Sequence, residues 1–191
     1  MNYHLIMKAK DLIILFVIIL SGFAIYTISC LAMGIPVFSN SKALVYVQPI
    51  RTGHEGEKIP SIDMLLADSI TYLNVRESTQ GGPVVLLYFG PDCPFCQAEV
   101  KDIIDDIDNL KEIQFYLLTP YSYADMKRFI DRYNLEKYSN IKVGIDYKFE
   151  FGKYFSAKNV PYIAIYGEDG VLSAAFIGNI KNTQLMAVAK G

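Results

Sequence analysis

The residues best placed to do chemistry are Cys93-Pro94-Phe95-Cys96, two thiols separated by two residues. Disulfide exchange needs one accessible sulfur that reacts as thiolate and a second close enough to displace the mixed disulfide. At the start of a helix, a spacing of three residues places the two side chains about 300° apart around the axis, within a disulfide's reach. The free amides and dipole of the first turn favour negative sulfur on the N-terminal member. Cys93 is therefore assigned as the attacking thiol and Cys96 as the resolving one. Pro94 suits the first turn, where its missing N–H costs no helical hydrogen bond. Phe95, fixed between the cysteines, is expected to be exposed. Glu99 falls within ~60° of Cys96 on the same helical count and borders the apolar face. A carboxylate there relays a proton to the buried thiol, or else is an ordinary solvated glutamate.

The competing reading of a CxxC pair is half of a structural zinc site. The sequence has three cysteines and two histidines. Cys30 lies in a hydrophobic segment, and His4 and His54 both lie upstream of the pair. With no second CxxC and no downstream CxxH to complete the shell, no metal site is expected within one chain, and only sharing across a dimer would supply one. No phosphate loop, dinucleotide fingerprint or Ser/His/Asp arrangement is visible, so no bound cofactor is expected and electrons must come from a partner protein. The net charge of -2 and the lack of a basic stripe speak against nucleic acid.

The surrounding pattern supplies the elements that must hold the pair. The chain has 191 residues, 52% hydrophobic and 20% charged, enough apolar material for one core without disulfide staples. Val84-Val85-Leu86-Leu87-Tyr88-Phe89 follows the Gly81-Gly82-Pro83 break and reads as a central strand buried on both faces. It runs into Gly90-Pro91-Asp92 and the cysteines, after which Cys93, Cys96, Val100, Ile103, Ile104, Ile107 and Leu110 share one helical face. Upstream, Ile62 to Leu66 and Ile70 to Leu73 read as two short strands about a turn at Ala67-Asp68-Ser69. Downstream come a strand over Ile113 to Leu118 and a helix opened by Ser122-x-x-Asp125, with Met126, Phe129, Ile130 and Tyr133 on its apolar face. A short strand at Ile141 to Ile145 and a short helix over Phe149 to Phe155 follow. Val160-Pro161 precedes the strand Tyr162 to Tyr166, Glu168-Asp169-Gly170 turns into a strand over Val171 to Ile177, and a last helix fits Thr183 to Ala189. The order predicts a mixed α/β sheet with an antiparallel hairpin at its end.

Leu12 to Phe38 carries no charge. About 20 residues of helix cross a hydrocarbon core, so this run suffices, with a slack end at Gly34-Ile35-Pro36. Lys8 and Lys10 before it put the N-terminus on the cytoplasmic side and the rest of the protein outside. Thr27-Ile28-Ser29-Cys30 loosely resembles a lipobox, which gives the alternative of a lipoprotein anchored at Cys30. Thr27 in place of Leu, and the apolar residues after Cys30, favour an uncleaved anchor. The domain organisation expected is a cytoplasmic stub and transmembrane anchor over 1–38, a tether over 39–58 and a globular domain over 59–191. Ala43 to Val47 within the tether reads equally as a short strand.

The strand VVLLYF, the turn GPDCPFC, the later VPY and the GEDG hairpin together resemble the thioredoxin superfamily. The likeness, over roughly residues 59 to 190, is nearest to its membrane-anchored TlpA/ResA-like redoxins. The resemblance implies a three-layer α/β sandwich with an N-terminal β-hairpin, preceded here by one transmembrane helix, and a domain facing the periplasm or cell exterior from the cytoplasmic membrane. It implies that Pro161 follows a cis peptide and sits against the disulfide, with the backbone at Val160 receiving an extended substrate strand beside Pro94 and Phe95. Cys96-Gln97-Ala98-Glu99 matches the CxxCxxE pattern of that branch. One departure is Asp92, which stands where a tryptophan is usual and opposes the helix's support of a negative sulfur. The partners implied are client proteins with disulfides or thiols and a membrane electron donor. Phe89, Phe95, Tyr121 and Tyr162 could edge a substrate groove or be core. A peroxiredoxin-like peroxidase would need Thr-x-x-Cys, which Gly90-Pro91-Asp92-Cys93 lacks. A copper carrier would need a histidine after His54, and a non-catalytic interaction domain of a membrane assembly has no use for an intact CPFC.

Overall fold

Five consecutive apolar residues cannot present a polar face, so Val84–Tyr88 must be covered on both sides. In the computed structural model, which describes residues 9–32 and 46–191, this strand lies inside a seven-stranded sheet with every residue buried. Two compact units are present, one within residues 1–45 and the other Tyr46–Gly191. In the first, helix α1 spans Ala9–Ala32. Its side chains are described at 14–26, 28 and 29, and over that stretch no helix is long and apolar enough to cross a membrane. The Lys8 flank, the Gly34-Ile35-Pro36 end, residues 43–45 and the Cys30 side chain lie outside what is described.

The second unit contains β1 (Asp63–Leu66), β2 (Tyr72–Asn74), α2 (Val75–Ser78), β3 (Val84–Tyr88), α3 (Pro94–Asp105), β4 (Gln114–Thr119) and α4 (Tyr123–Tyr133). After these come β5 (Ile141–Ile145), α5 (Glu150–Tyr154), β6 (Tyr162–Tyr166), β7 (Leu172–Ile177) and α6 (Asn182–Ala189). The sheet order is β2-β1-β5-β4-β3-β6-β7, with β3, β4 and β5 parallel and the other pairings antiparallel. Because strand side chains alternate, β3 feeds two cores. Val85, Leu87 and Phe89 pack with α3, α4 and α6, while Val84, Leu86 and Tyr88 pack with Val75, Phe151 and Phe155 on the other face. This is the thioredoxin-like three-layer arrangement, with the β1–β2 hairpin in place. Each fully buried aliphatic side chain contributes about 1.5–3 kcal/mol, so β3 and the equally buried β6 beside it anchor the sheet.

Local chemistry explains most boundaries. Ser122 Oγ accepts from the Asp125 N–H, and Asn134 closes α4 in the left-handed conformation. The turn α2 was not foreseen, although Asn74-x-x-Glu77 carries its signal: the Asn74 side chain accepts from the Glu77 N–H. The α3 helix stops at Asp105, earlier than the apolar pattern through Ile107 and Leu110 predicts. The reason lies in Asp105-Asp106-Ile107-Asp108-Asn109. Acidic groups are unfavourable at the negative end of a helix dipole, and short polar side chains bond locally instead, as Asn109 Nδ2 does to Asp106 Oδ1. Leu110 is still buried, delivered by a turn rather than by the helix.

Residues 46–58, read from the sequence as tether, are bonded to the domain. Gln184 grips the Val47 backbone with both ends of its amide, Ile50 bridges Ala175, and Lys58 bridges Val171. His54 joins the Glu57 carboxylate at 3.0 Å and the Tyr154 carbonyl at 3.0 Å, stacked on the Tyr154 ring. The arm thereby covers the open edge of β7, a position that would otherwise invite strand addition.

Candidate active site

The parallel strand β3 ends at Tyr88, and Phe89 to Asp92 turn the chain into α3 at the C-terminal edge of the sheet, where open α/β folds place their sites. Cys93 is the N-cap of α3 and Pro94 its first residue. The turn is held by the Cys93 N–H donating to the Gly90 carbonyl and by Gln97 Nε2 donating to the Pro91 carbonyl, both at 3.0 Å. A methyl group at Gly90 would stand 3.4 Å from the Tyr121 ring and 3.6 Å from Cys93 Cβ, so the ring and the thiol flank the same short backbone.

The two thiols differ sharply. Cys93 is half-buried, and its Sγ–H donates to the Val160 carbonyl at 3.8 Å. Cys96 is 0% exposed, and its sulfur accepts from the Gly90 N–H at 3.5 Å. Burial pushes the Cys96 thiol up to about 12, with Cys93 and Glu99 acting in the same sense. The Val160–Pro161 peptide is cis, Pro161 is buried, and its carbonyl accepts from the Gly178 N–H. Val160, 67 residues from Cys93 in sequence, is therefore brought against the cysteine pair.

Glu99 is 0% exposed, which excludes a solvated surface glutamate. Its Oε2 accepts from Asn179 Nδ2 at 2.9 Å and from the Ile180 N–H at 3.2 Å, while Oε1 is buried with no hydrogen-bond partner. Burial raises this carboxyl from its ordinary 4.5 to about 7, against the lowering effect of those two donors. Asn179 also donates to the Phe95 carbonyl at 2.8 Å. Asn179 was missed in the sequence, where its only signal is a short polar residue after Gly178 at the exit of the last strand. Of the four aromatics considered for a groove, Phe89 and Tyr162 are core, and Phe95 (64% exposed) and Tyr121 (52%) face solvent beside Cys93.

Among the described residues, no group of three His, Cys, Asp or Glu side chains gathers as metal ligands do. A half-exposed sulfur at a helix N-terminus, backed by a buried second thiol, is the arrangement of a thiol–disulfide oxidoreductase. The chain belongs to the thioredoxin-like domain family, which matches residues 75–190. Relatives include the methylamine utilization protein MauD of Methylobacillus flagellatus, 25% identical over 126 residues, an overlap of 66% of this chain and 58% of that protein. The chain thus spans a little over half the length of this curated relative. Among solved structures, a secreted Mycobacterium tuberculosis disulfide oxidoreductase homologous to E. coli DsbE superimposes with a TM-score of 0.56 at 20% identity, covering 68% of this chain and 94% of that one. StoA from Bacillus subtilis superimposes with a TM-score of 0.53 at 17% identity, covering 70% and 99%. At these identities the superpositions report the fold.

Proposed function

We propose that this protein reduces disulfides of client proteins outside the cytoplasm through Cys93 and Cys96, and is itself re-reduced by a membrane dithiol protein. The observation that carries the reading is the contrast between the two sulfurs, one open at the helix start and one sealed behind it. Cys93 thiolate attacks a client disulfide, forms a mixed disulfide and expels one client thiolate, which takes up a proton. The Cys96 thiol then loses its proton and attacks the Cys93 sulfur. The Cys93–Cys96 disulfide forms, the second client thiolate leaves, and two electrons have passed from the pair to the client. At pH 7 a thiol held at about 12 is thiolate in only about one molecule in 10⁵. A base beside it is needed, and Glu99, one helical turn on and raised to about 7, supplies it.

Val160, Pro161, Pro94 and Phe95 form the surface where a client strand docks, a reading supported by their convergence on Cys93 and by the exposure of Phe95. Membrane attachment through residues 12–38 is supported by the charge-free run from Leu12 to Phe38 and by the exposed apolar side chains of α1 from Ile14 to Tyr26. Thr27 in place of Leu, and the apolar residues after Cys30, favour an uncleaved anchor over a lipoprotein. The relative described as secreted agrees with an outward-facing domain.

The test is a pair of variants incubated with disulfide-containing clients. Cys96→Ser is expected to accumulate mixed disulfides and Cys93→Ser to form none. Equal trapping by both, or retained turnover in Cys93→Ser, would overturn the assignment.

A further inference from the structure

The segment joining β7 to α6 does more than return the chain to the sheet. It lays polar groups along α3: Asn179 Nδ2 reaches both the Phe95 carbonyl at 2.8 Å and Glu99 Oε2 at 2.9 Å, the Ile180 N–H reaches the same Oε2, and Asn182 Nδ2 reaches the Asp102 carbonyl at 2.7 Å. A single NH₂ group thus spans the backbone between the two cysteines and the carboxylate below them. We propose that Asn179 is the positioning residue of the site: its amide fixes the Glu99 carboxylate under Cys96, favours its ionised form, and ties it to the peptide that separates the cysteines. This rests on the reading of Glu99 as the base for Cys96.

The argument is one of donor supply. Glu99 has no water-facing surface, and among the described residues its Oε1 has no hydrogen-bond partner and two donors, Asn179 and the Ile180 amide, stabilise its negative form by hydrogen bonding. The charged groups acting on it are Asp102 on α3, which opposes ionisation, and Lys181 on the β7–α6 segment, which favours it, while the neighbouring Cys96 thiol is uncharged where Glu99 titrates. The Ile180 donor belongs to the backbone and survives any substitution, so Asn179 is the side chain that sets how readily Glu99 accepts a proton. Because the same NH₂ holds the Phe95 carbonyl, loss of Asn179 also frees the turn between the cysteines.

The experiment is a titration of the Glu99 carboxyl carbon by NMR, in the full chain in detergent, for the wild type, Asn179→Leu and Asn179→Ala. Leucine matches asparagine in size and removes both donors; alanine, smaller and also without a donor, serves where leucine perturbs folding. A hydrogen bond to a charged buried group is equivalent to roughly one to two pH units, so the Glu99 midpoint in both variants should rise by about that much. The pH profile of disulfide reduction should move in parallel, and that movement should vanish in a Glu99→Gln background. An unchanged midpoint in folded variants would overturn the role of Asn179 whatever the rates do. A raised midpoint with an unchanged rate profile would leave Asn179 as the positioning residue of the carboxylate and defeat instead the reading of Glu99 as base.

Discussion

Replacing Glu99 by glutamine should change the way stability depends on pH. Glu99 is sealed in the folded protein and raised to about 7, whereas in the unfolded chain it titrates near its ordinary 4.5. Between these values the unfolded chain has released the proton and the folded one still holds it, so the unfolded state binds fewer protons and stability falls as pH rises. A separation of about 2.5 pH units at about 1.4 kcal/mol each gives roughly 3 kcal/mol, present in full below pH 4.5 and lost by the time pH has passed 7. Glutamine removes the titration and keeps the acceptor that Asn179 and Ile180 bind. Its NH₂ takes the place of the unpartnered Oε1 and costs about 1–3 kcal/mol at every pH, an offset that leaves the slope untouched. Urea unfolding of both proteins at pH 4.5, 6, 7 and 8.5 isolates the effect, since every other titrating group is shared. The variant should gain about 3 kcal/mol relative to the wild type across this range. Parallel stability curves would refute a buried, proton-holding Glu99.

Two further substitutions probe how the site is supported. Gly144→Ala should destabilise by about 1–3 kcal/mol in urea unfolding. Its Cβ would lie 2.6 Å from Met64 Cε, which can move, but 2.8 Å from the Leu65 carbonyl, which the β1–β5 pairing pins; stability equal to the wild type would mean that this edge of the sheet yields. Asp146→Ala should cost about 1–2 kcal/mol, because the buried carboxylate accepts from the Glu150 N–H at 2.7 Å and the Phe151 N–H at 3.0 Å and so starts α5. The loss should appear first as weakened protection of the α5 amides in hydrogen exchange, and unchanged protection there would assign the stability of α5 to the Tyr88–Phe151 stack instead.

The elements of this fold were legible because each rests on local pattern. The unbroken apolar run of β3, the Ser122–Asp125 cap and the Pro94 start of α3 announce themselves within a few residues. The end of α3 was less legible, since an apolar stripe continued where an acidic cluster had already made the helix unfavourable. The placement of Cys93 and Cys96 at the start of α3 needed only their spacing and the strand before them. Three facts about their surroundings needed the tertiary structure. Whether Glu99 faces solvent or core depends on what packs over α3, and that is the β7–α6 segment, 80 residues away in sequence for Asn179. The arm over 46–58 reads as linker because most of what ties it down is its own backbone, bonded to β7 and to Gln184, while His54, stacked on Tyr154, does so through a distinctive side chain. The raised Cys96 thiol follows from burial, a property of the whole assembled core rather than of any short segment. Spacing along a chain determines which groups can meet, and the desolvation that sets their chemistry exists only once the layers have closed around them.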